Sequence, residues 1–336
     1  MEKLNAKLLI QEAGEKLKGT DSTRLAAMHT GITVAVALVI TVLQYILSQG
    51  IGNTTGLSGL STRSILETGQ TVLQWANTIL VPFWSLGFLY TALRWARGEY
   101  ARKEDLLAGF RRIGPYLGLL INRFLLSMMV MILCANTSSA IFMMTPAATQ
   151  ITELVASAGS DMNAAYALME GMSTAQLMDL LYSLIPMLVI WGVLCLVLLV
   201  PLMYRFRMAE YVILDHQGAR GLSSMFISAS LLRRRCWQLF KLDLRLWWYY
   251  GLKVLCTILC YADLLLGAMG ITLPIGGDGA YFVSFGAYLA ALFCVETCFR
   301  PRVDTAYACA YEQLVAMGPA AKKMPEKPQS MPWDEE

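Results

Sequence analysis

Four ionisable residues stand inside long apolar runs: Arg123, Lys253, Asp263 and Glu296. A charge in hydrocarbon is costly, so its presence points to a partner, a polar pathway or a water-filled cavity. Counted along a helix, Arg123 lies about 16 Å past Arg112, Lys253 about 12 Å past Arg245 and Glu296 about 6 Å from Arg300. Lys253 and Glu296 are therefore close enough in depth to pair if their side chains reach. Asp263 sits nearer the opposite end of its run and meets Arg123 only if that helix tilts or starts later. Two readings stand side by side: structural ion pairs and snorkelling, or an intramembrane polar pathway or binding cavity.

The cysteines are the other chemistry-bearing set. There are eight, most of them inside apolar runs, which argues against a secreted disulfide framework. Cys256/Cys260 and Cys294/Cys298 each have the spacing of one helix face. Depth argues against a four-thiolate cage: Cys298 is at the edge of its run, Cys260 is roughly 20 Å in from Arg245, and Zn–S bonds are only ~2.3 Å. Gly286, Ala290, Cys294 and Cys298 instead make a small-residue stripe that lets helices approach. The two histidines, His29 and His216, are far apart in sequence. No His-Glu-x-x-His, Gly-x-Ser-x-Gly or P-loop pattern occurs, so a zinc protease, an elbow-type serine hydrolase and a P-loop ATPase have no support. No metal, no cofactor and no catalytic residue is expected.

The elements that hold these residues follow from composition. Of 336 residues, 56% are apolar and 15% charged, against about 25% charged in an ordinary soluble domain. The apolar residues are clumped into six runs near the ~20 residues a bilayer crossing needs. They cover about 27–48, 72–93, 115–135, 180–203, 246–269 and 280–299, the third extending as far as Met144 in one reading. Lipid offers backbone groups no partner, and the runs are too long and evenly apolar for barrel strands. The expected fold is all-α: a polytopic membrane protein with six transmembrane helices in a single membrane domain over 25–314. A cytoplasmic amphipathic helix at 1–24 precedes it, and a disordered tail at 315–336 follows.

Charge orients the chain. With six crossings, 24 of the 27 lysines and arginines fall on one side and Arg63 alone on the other, with Arg123 and Lys253 inside spans. Positive charge marks the cytoplasmic face, so both termini are expected there. Acids included, that face nets +8 and the outer face −5. Anionic lipid is thus the expected partner of the inner face, each juxtamembrane cation contributing about 1 kcal/mol near such a surface. A membrane-protein partner is also compatible; a nucleic acid is not expected. The charged N-terminus lacks the short apolar core of a cleaved signal peptide.

The connections carry further expectations. Residues 3–18 read as an amphipathic helix, lying in the headgroup plane or packed on protein. In 219–245, Leu222, Met225, Phe226, Ala229 and Leu232 form one apolar helical face, Arg233, Arg234 and Arg235 end the helix, and Trp237 follows. That combination suggests an interfacial helix whose arginines and Trp237 contact lipid headgroups; a helix packed under the bundle is the alternative. The outer connection 136–179 is acidic, without Lys or Arg, and reads as two short helices broken at 159–161. The 50–63 connection is Gly/Ser/Thr-rich and expected to be mobile. Acceptor patterns at Asn53 and Asn136 are chance matches unless the host glycosylates secretory proteins.

Several ordered pieces over about 12–314 resemble the DUF975 family of bacterial integral membrane proteins, a group of unknown function. They are EAGEKLKG at 12–19, Arg97-Gly98-Glu99 through LLAGFRRIG at 106–114, YRFRMAEYVILDH at 204–216, LFKLDLRLWWYYGL at 239–252 and PRVDTAYACAYEQL at 301–314. Departures are Arg302 in place of a usual Tyr, His216-Gln217-Gly218 in place of an Asn-Pro type turn, and Arg233–Arg235 in place of a Lys-Gly helix end. The layout is more weakly similar to membrane domains attached to certain glycerophosphodiester phosphodiesterases. The resemblance implies a six-helix module in a bacterial cytoplasmic membrane and supplies no catalytic residue.

The leading functional expectation is a non-enzymatic membrane-embedded module that contacts anionic lipid or serves as an accessory to a larger membrane system. A small-molecule permease or transporter subunit is the second, motivated by the four buried charges. An intramembrane lipid-acting enzyme ranks third, because polar residues do not cluster at one depth.

Overall fold

In the computed structural model the described residues are 4–53, 59–145, 148–149, 174–216, 218–268 and 278–317. They form helices α1 (Ala6–Lys16), α2 (Ser22–Asn53), α3 (Gly59–Ala96), α4 (Ala108–Arg111), α5 (Ile113–Phe142), α6 (Thr174–Arg205), α7 (Ala209–Asp215), α8 (Gly221–Leu231), α9 (Cys236–Arg245), α10 (Trp247–Cys260), α11 (Ala262–Ala268) and α12 (Asp278–Met317), with a 3₁₀ turn at Lys103–Leu107. No strand occurs among the described residues. Five helices are long and apolar enough to cross a membrane. The protein is an all-α polytopic membrane protein.

The long helices overrun their apolar cores. Within the expected 50–63 connection, α2 continues to Asn53 and α3 begins at Gly59, because polar residues there continue the helical ladder; residues 54–58 lie outside the described residues. The third run extends to Phe142. Of the two short helices expected at 148–158 and 162–172, all but residues 148–149 lie outside the described residues, as does the tail beyond Met317. The 246–269 run is not one uninterrupted helix. At its middle the Tyr261 N–H donates to Ile258 O at 3.1 Å, a tight three-residue step, and the helix resumes as α11.

The chain divides into two compact units, Met1–Leu117 with Met208–Glu336, and Gly118–Arg207. In the first, α2 and α3 are antiparallel: His29 meets Trp84, while Leu47 approaches Gly69 and Leu66 approaches Gly50. Helices α10 and α12 are antiparallel as well, Tyr250 meeting Tyr307 and Lys253 meeting Glu296. Helix α12 also runs antiparallel to α2, Tyr45 lying against Phe282 and Gly31 against Phe293. In the second unit α5 and α6 pair the same way: the Arg123 guanidinium donates to Phe206 O, and Ser138 Oγ donates to Met187 O at 2.7 Å.

Burial is distributed unevenly, and this locates the core. Side chains of the apolar stretches point outward, among them Leu38, Val39 and Ile46 on α2 and Leu188, Val193 and Leu196 on α6. Lipid is the solvent that makes such exposure tolerable. The protein-buried core instead gathers at the basic end of the first unit, in a cap of short helices around the last half of α12. Forty residues at ~1.5 Å each make α12 about 60 Å long, against a ~30 Å hydrocarbon layer. Its surplus, Val303 to Leu314, is sheathed by α1, α3, α7 and their neighbours, and Tyr311, Ala308 and Leu314 are fully buried.

Glycine permits one close approach in this cap. A Cβ on Gly87 of α3 would lie 1.8 Å from Leu106 O, and one on Gly109 of α4 would lie 1.9 Å from Phe83 O. The 3₁₀ turn and α4 therefore pack backbone to backbone on α3, fastened by Arg94, whose Nη1 reaches both carboxylate oxygens of Asp105 at 3.1 Å.

Helix α1 is packed on protein. Asn5 caps it by accepting from Lys7 N at 3.1 Å, and Leu4, Ala6, Leu9 and Ala13 are buried against the cap. Helix α8 divides the expected apolar face: Met225 and Leu232 are buried, whereas Leu222 and Phe226 are not. Ser224, Met225, Ser228 and Leu231 point inward, the Ser228 hydroxyl accepting from Met208 N at 3.1 Å, while Leu222 and Phe226 are exposed. Hydroxyls can turn inward because each finds a backbone partner, and the displaced apolar residues face outward.

Candidate functional site

The polar feature with the most geometry behind it is a charged seam along α12. Glu296, Arg300 and Asp304 recur at four-residue spacing and so share one face of the helix. Arg300 Nε lies 3.1 Å from Asp304 Oδ2, and its Nη1 lies 3.4 Å from Glu296 Oε2. From α10, Lys253 Nζ comes within 2.7 Å of Glu296 Oε1, and the Tyr249 hydroxyl donates to the same oxygen at 3.1 Å. From α2, His29 Nδ1 is 3.4 Å from Arg300 Nη1. His29 is itself held by Trp84: the rings stack at 5.1 Å, and the indole N–H donates to His29 O at 3.1 Å. The Arg300 guanidinium lies 4.8 Å above the Phe88 ring. Two cations and two carboxylates balance, and three helices, α2, α10 and α12, meet through them.

About two helical turns further on, the seam continues. Arg97, just past α3, bridges Asp215 at the end of α7 and Glu312 on α12, the latter at 2.7 Å. The Tyr311 hydroxyl donates to Asp215 Oδ2 at 3.0 Å. Burial opposes the Arg97 charge, but Asp215 and then Glu312 outweigh it, so its pKa lies above the ordinary guanidinium value. Between the two clusters Tyr307 donates to Asp243 of α9 and shares a hydroxyl–hydroxyl contact of 3.0 Å with Tyr250. Chemically this is a set of charge-assisted hydrogen bonds that fixes helix register.

Of the sequence-predicted intramembrane residues, the structure brings Lys253 and Glu296 together. Arg123 lies in the other unit, engaged with the Phe206 carbonyl where α6 ends. Asp263 falls on α11, and its side chain lies outside the described residues. Arg300, Asp304, His29, Arg97, Asp215 and Glu312 were missed as site residues. Arg300 had been counted only as a topogenic charge, although alternating charges at four-residue spacing from Glu296 were visible in the sequence.

The predicted headgroup contacts stand together on the cap. Arg233, Arg234 and Trp237 are exposed at the α8–α9 turn, where Arg234 takes φ 67°. Trp237 stacks on Phe240 at 5.1 Å. Arg235 is turned the other way, donating to Met317 O at 3.4 Å. Around them Leu222, Phe226, Leu244 and Trp247 are exposed, Trp237 and Trp247 being 65% and 67% accessible.

The cysteines are all free thiols, and among the described residues no group of three metal-ligating side chains converges. Cys294 and Cys298 are exposed, as are Gly286 and Ala290, so the small-residue stripe faces outward and does not seat a neighbouring helix. No family model, curated protein or solved structure matches the chain.

Proposed function

We propose that this protein crosses the cytoplasmic membrane six times, with both termini and the helical cap on the cytoplasmic side. It acts as a non-enzymatic module whose cap rim holds anionic lipid, alone or as an accessory to a larger membrane system. The crossing number is supported by the antiparallel pairing of α10 with α12. A chain that leaves the cap at Leu246 and returns along α12 must traverse whatever layer α12 traverses. The 21 residues of α10 and α11 extend about 32 Å, which matches the hydrocarbon thickness. The orientation is supported by the basic residues gathered on the cap, and the bacterial setting by the resemblance to DUF975.

The observation that carries the lipid reading is the rim itself. Arg233, Arg234 and Trp237 are exposed together at the α8–α9 turn, and Leu222, Phe226 and Trp247 on the flanking helices are exposed as well. Apolar side chains, indoles and guanidinium groups in one band match a headgroup–acyl boundary, and water alone would make that surface unfavourable. The permease reading loses support from the engagement of Lys253 by Glu296 and of Arg123 by a backbone carbonyl.

The test uses the full chain reconstituted in vesicles with spin-labelled phosphatidylglycerol or phosphatidylcholine. Wild type should retain the anionic label preferentially, and Arg233→Gln/Arg234→Gln should lose several-fold of that preference. An unchanged preference removes the reading. Reporters fused before Met1 and after Met317 should both report the cytoplasm; opposite sides would mean an odd number of crossings.

A further inference from the structure

We infer that a cleft between α1, the end of α9 and α12 is a discrete binding site for a phosphomonoester anion. The cleft encloses about 660 Å³ and is lined by Lys7, Lys18, Arg245 and Arg302, with Glu15 as the lone acid. That volume falls within the roughly 300–1,000 Å³ of small-molecule sites.

These four cations share one cleft and lack partners. Several other basic residues of the cap are matched: Lys16 with Glu12, Arg94 with Asp105, Arg97 with Asp215 and Glu312, Arg300 with Glu296 and Asp304. Among the described residues, Lys7, Lys18, Arg245 and Arg302 make no side-chain ion pair or hydrogen bond. Glu15, the acid nearby, instead accepts from Gln11 at 3.3 Å. The other polar cleft of the cap makes the contrast: Arg24, Arg102 and Lys103 share its walls with Asp21 and Glu104, and its charge is nearly balanced.

Helix ends do not account for the set. Lys18 and Arg245 stand at the C-terminal ends of α1 and α9, where backbone carbonyls favour a cation. Lys7 is in the first turn of α1, where the dipole disfavours it, and Arg302 is in the interior of α12. Docking α1 on α12 thus gathers four exposed cations around one cleft, an arrangement that a multiply charged anion favours. Gly14 helps to shape it: a side chain there would meet the Arg302 guanidinium at 3.8 Å, so the guanidinium lies along bare α1 backbone. A planar fork beside ammonium groups suits phosphate oxygens.

Ile10 and Leu17 also line the cleft, and Arg245 sits between exposed Leu244 and Trp247, at the level of the proposed membrane surface. A lipid headgroup with a terminal phosphate and a soluble phosphomonoester share the chemistry. The site uses residues other than Arg233 and Arg234, so it stands or falls separately from the rim.

The test is binding of full-length protein to vesicles of phosphatidylcholine containing dioleoyl phosphatidic acid or phosphatidylglycerol, and, in detergent, to glycerol 3-phosphate. We expect a saturable site for the phosphomonoester lipid, preferred over phosphatidylglycerol. Lys7→Gln/Arg302→Gln should weaken it about thirtyfold, on the scale of one juxtamembrane cation apiece. Arg233→Gln/Arg234→Gln should leave it intact. Lys18→Gln, at an exposed position, provides the second variant if the double one unfolds. Competition by glycerol 3-phosphate assigns the site to a soluble ligand; its failure to compete, with lipid binding retained, assigns it to the headgroup. Equal binding of both probes by wild type and variants overturns the inference, as does binding of neither probe.

Discussion

Lys253 and Glu296 face one another across α10 and α12, with 2.7 Å between ammonium and carboxylate, although they stand 43 positions apart in the chain. The same carboxylate also holds Tyr249 and contributes to the surroundings of Arg300. One acid therefore serves two cations, and its loss should cost more than the loss of either cation. Glu296 is 7% exposed at its side chain and Lys253 42%. We expect Glu296→Gln to destabilise the protein by about 3 kcal/mol, the lower range for leaving a buried charge unmatched, and Lys253→Met by about 1 kcal/mol. Titration with sodium dodecyl sulfate in mixed micelles measures both. Strict additivity of the two in a double-mutant cycle would show that the pair is not coupled.

Arg97 joins three chain segments through one guanidinium, and its planar fork is what lets it reach Asp215 and Glu312 together. Lysine carries the charge without the fork. Arg97→Lys should therefore behave as a loss of function for the lock, with a cost of about 2 kcal/mol. Faster proteolysis within 209–216 should accompany it, because Asp215 closes α7. A lysine variant as stable as wild type would show that charge alone suffices.

The backbone contact at Gly87 and Gly109 gives a sharper expectation. Nothing flexible can yield, because the obstructing atoms are carbonyl oxygens at 1.8 and 1.9 Å. Gly87→Ala or Gly109→Ala must separate α3 from the 3₁₀ turn and disturb the Arg94–Asp105 bridge. A cost above about 3 kcal/mol is expected for each, the range of severe overpacking. Gly192, with nothing within 4 Å of its absent Cβ, is the control, and Gly192→Ala should be neutral or mildly stabilising in thermal unfolding.

These positions also mark how far the sequence could be read. The apolar runs were legible because lipid imposes one length and one polarity on a crossing helix, and five of the six stand in helices long and apolar enough to cross. The Lys253–Glu296 pair was legible because depth along a helix is simple arithmetic. The cap was legible only in part: α1 and α8 stood out by their periodicity, whereas α7 and α9, 7 and 10 residues long, are bounded by no strong punctuation. The orientation of these short helices depends on tertiary partners such as Met208 N for Ser228. On α8 the hydrophobic pattern put Leu222, Met225, Phe226 and Leu232 on one face, to meet lipid or protein; the structure exposes Leu222 and Phe226 and buries Met225 and Leu232, because a membrane-adjacent helix can have two apolar surroundings and periodicity cannot say which residues meet protein. Arg97, Asp215 and Glu312 converge from more than 200 residues of separation, and no local spacing encodes that.

Helix α1 had two possible surroundings, headgroups or protein, and its small buried residue separates them. Ala13 is fully buried, with Leu9 beside it, while Leu8 on the opposite side is 56% exposed. A larger apolar residue at position 13 would strengthen a helix that floats in the headgroup plane, because it adds apolar area. On a helix docked against protein it overpacks a filled space, at about 1–3 kcal/mol. Ala13→Leu should therefore loosen α1, seen as faster amide exchange over 6–16, while Leu8→Ala should change that exchange little. Loosening should also weaken the Lys7–Arg302 cleft, since two of its cations belong to α1 or follow it directly. Slower exchange in Ala13→Leu would return α1 to the membrane surface and remove the wall on which that cleft depends.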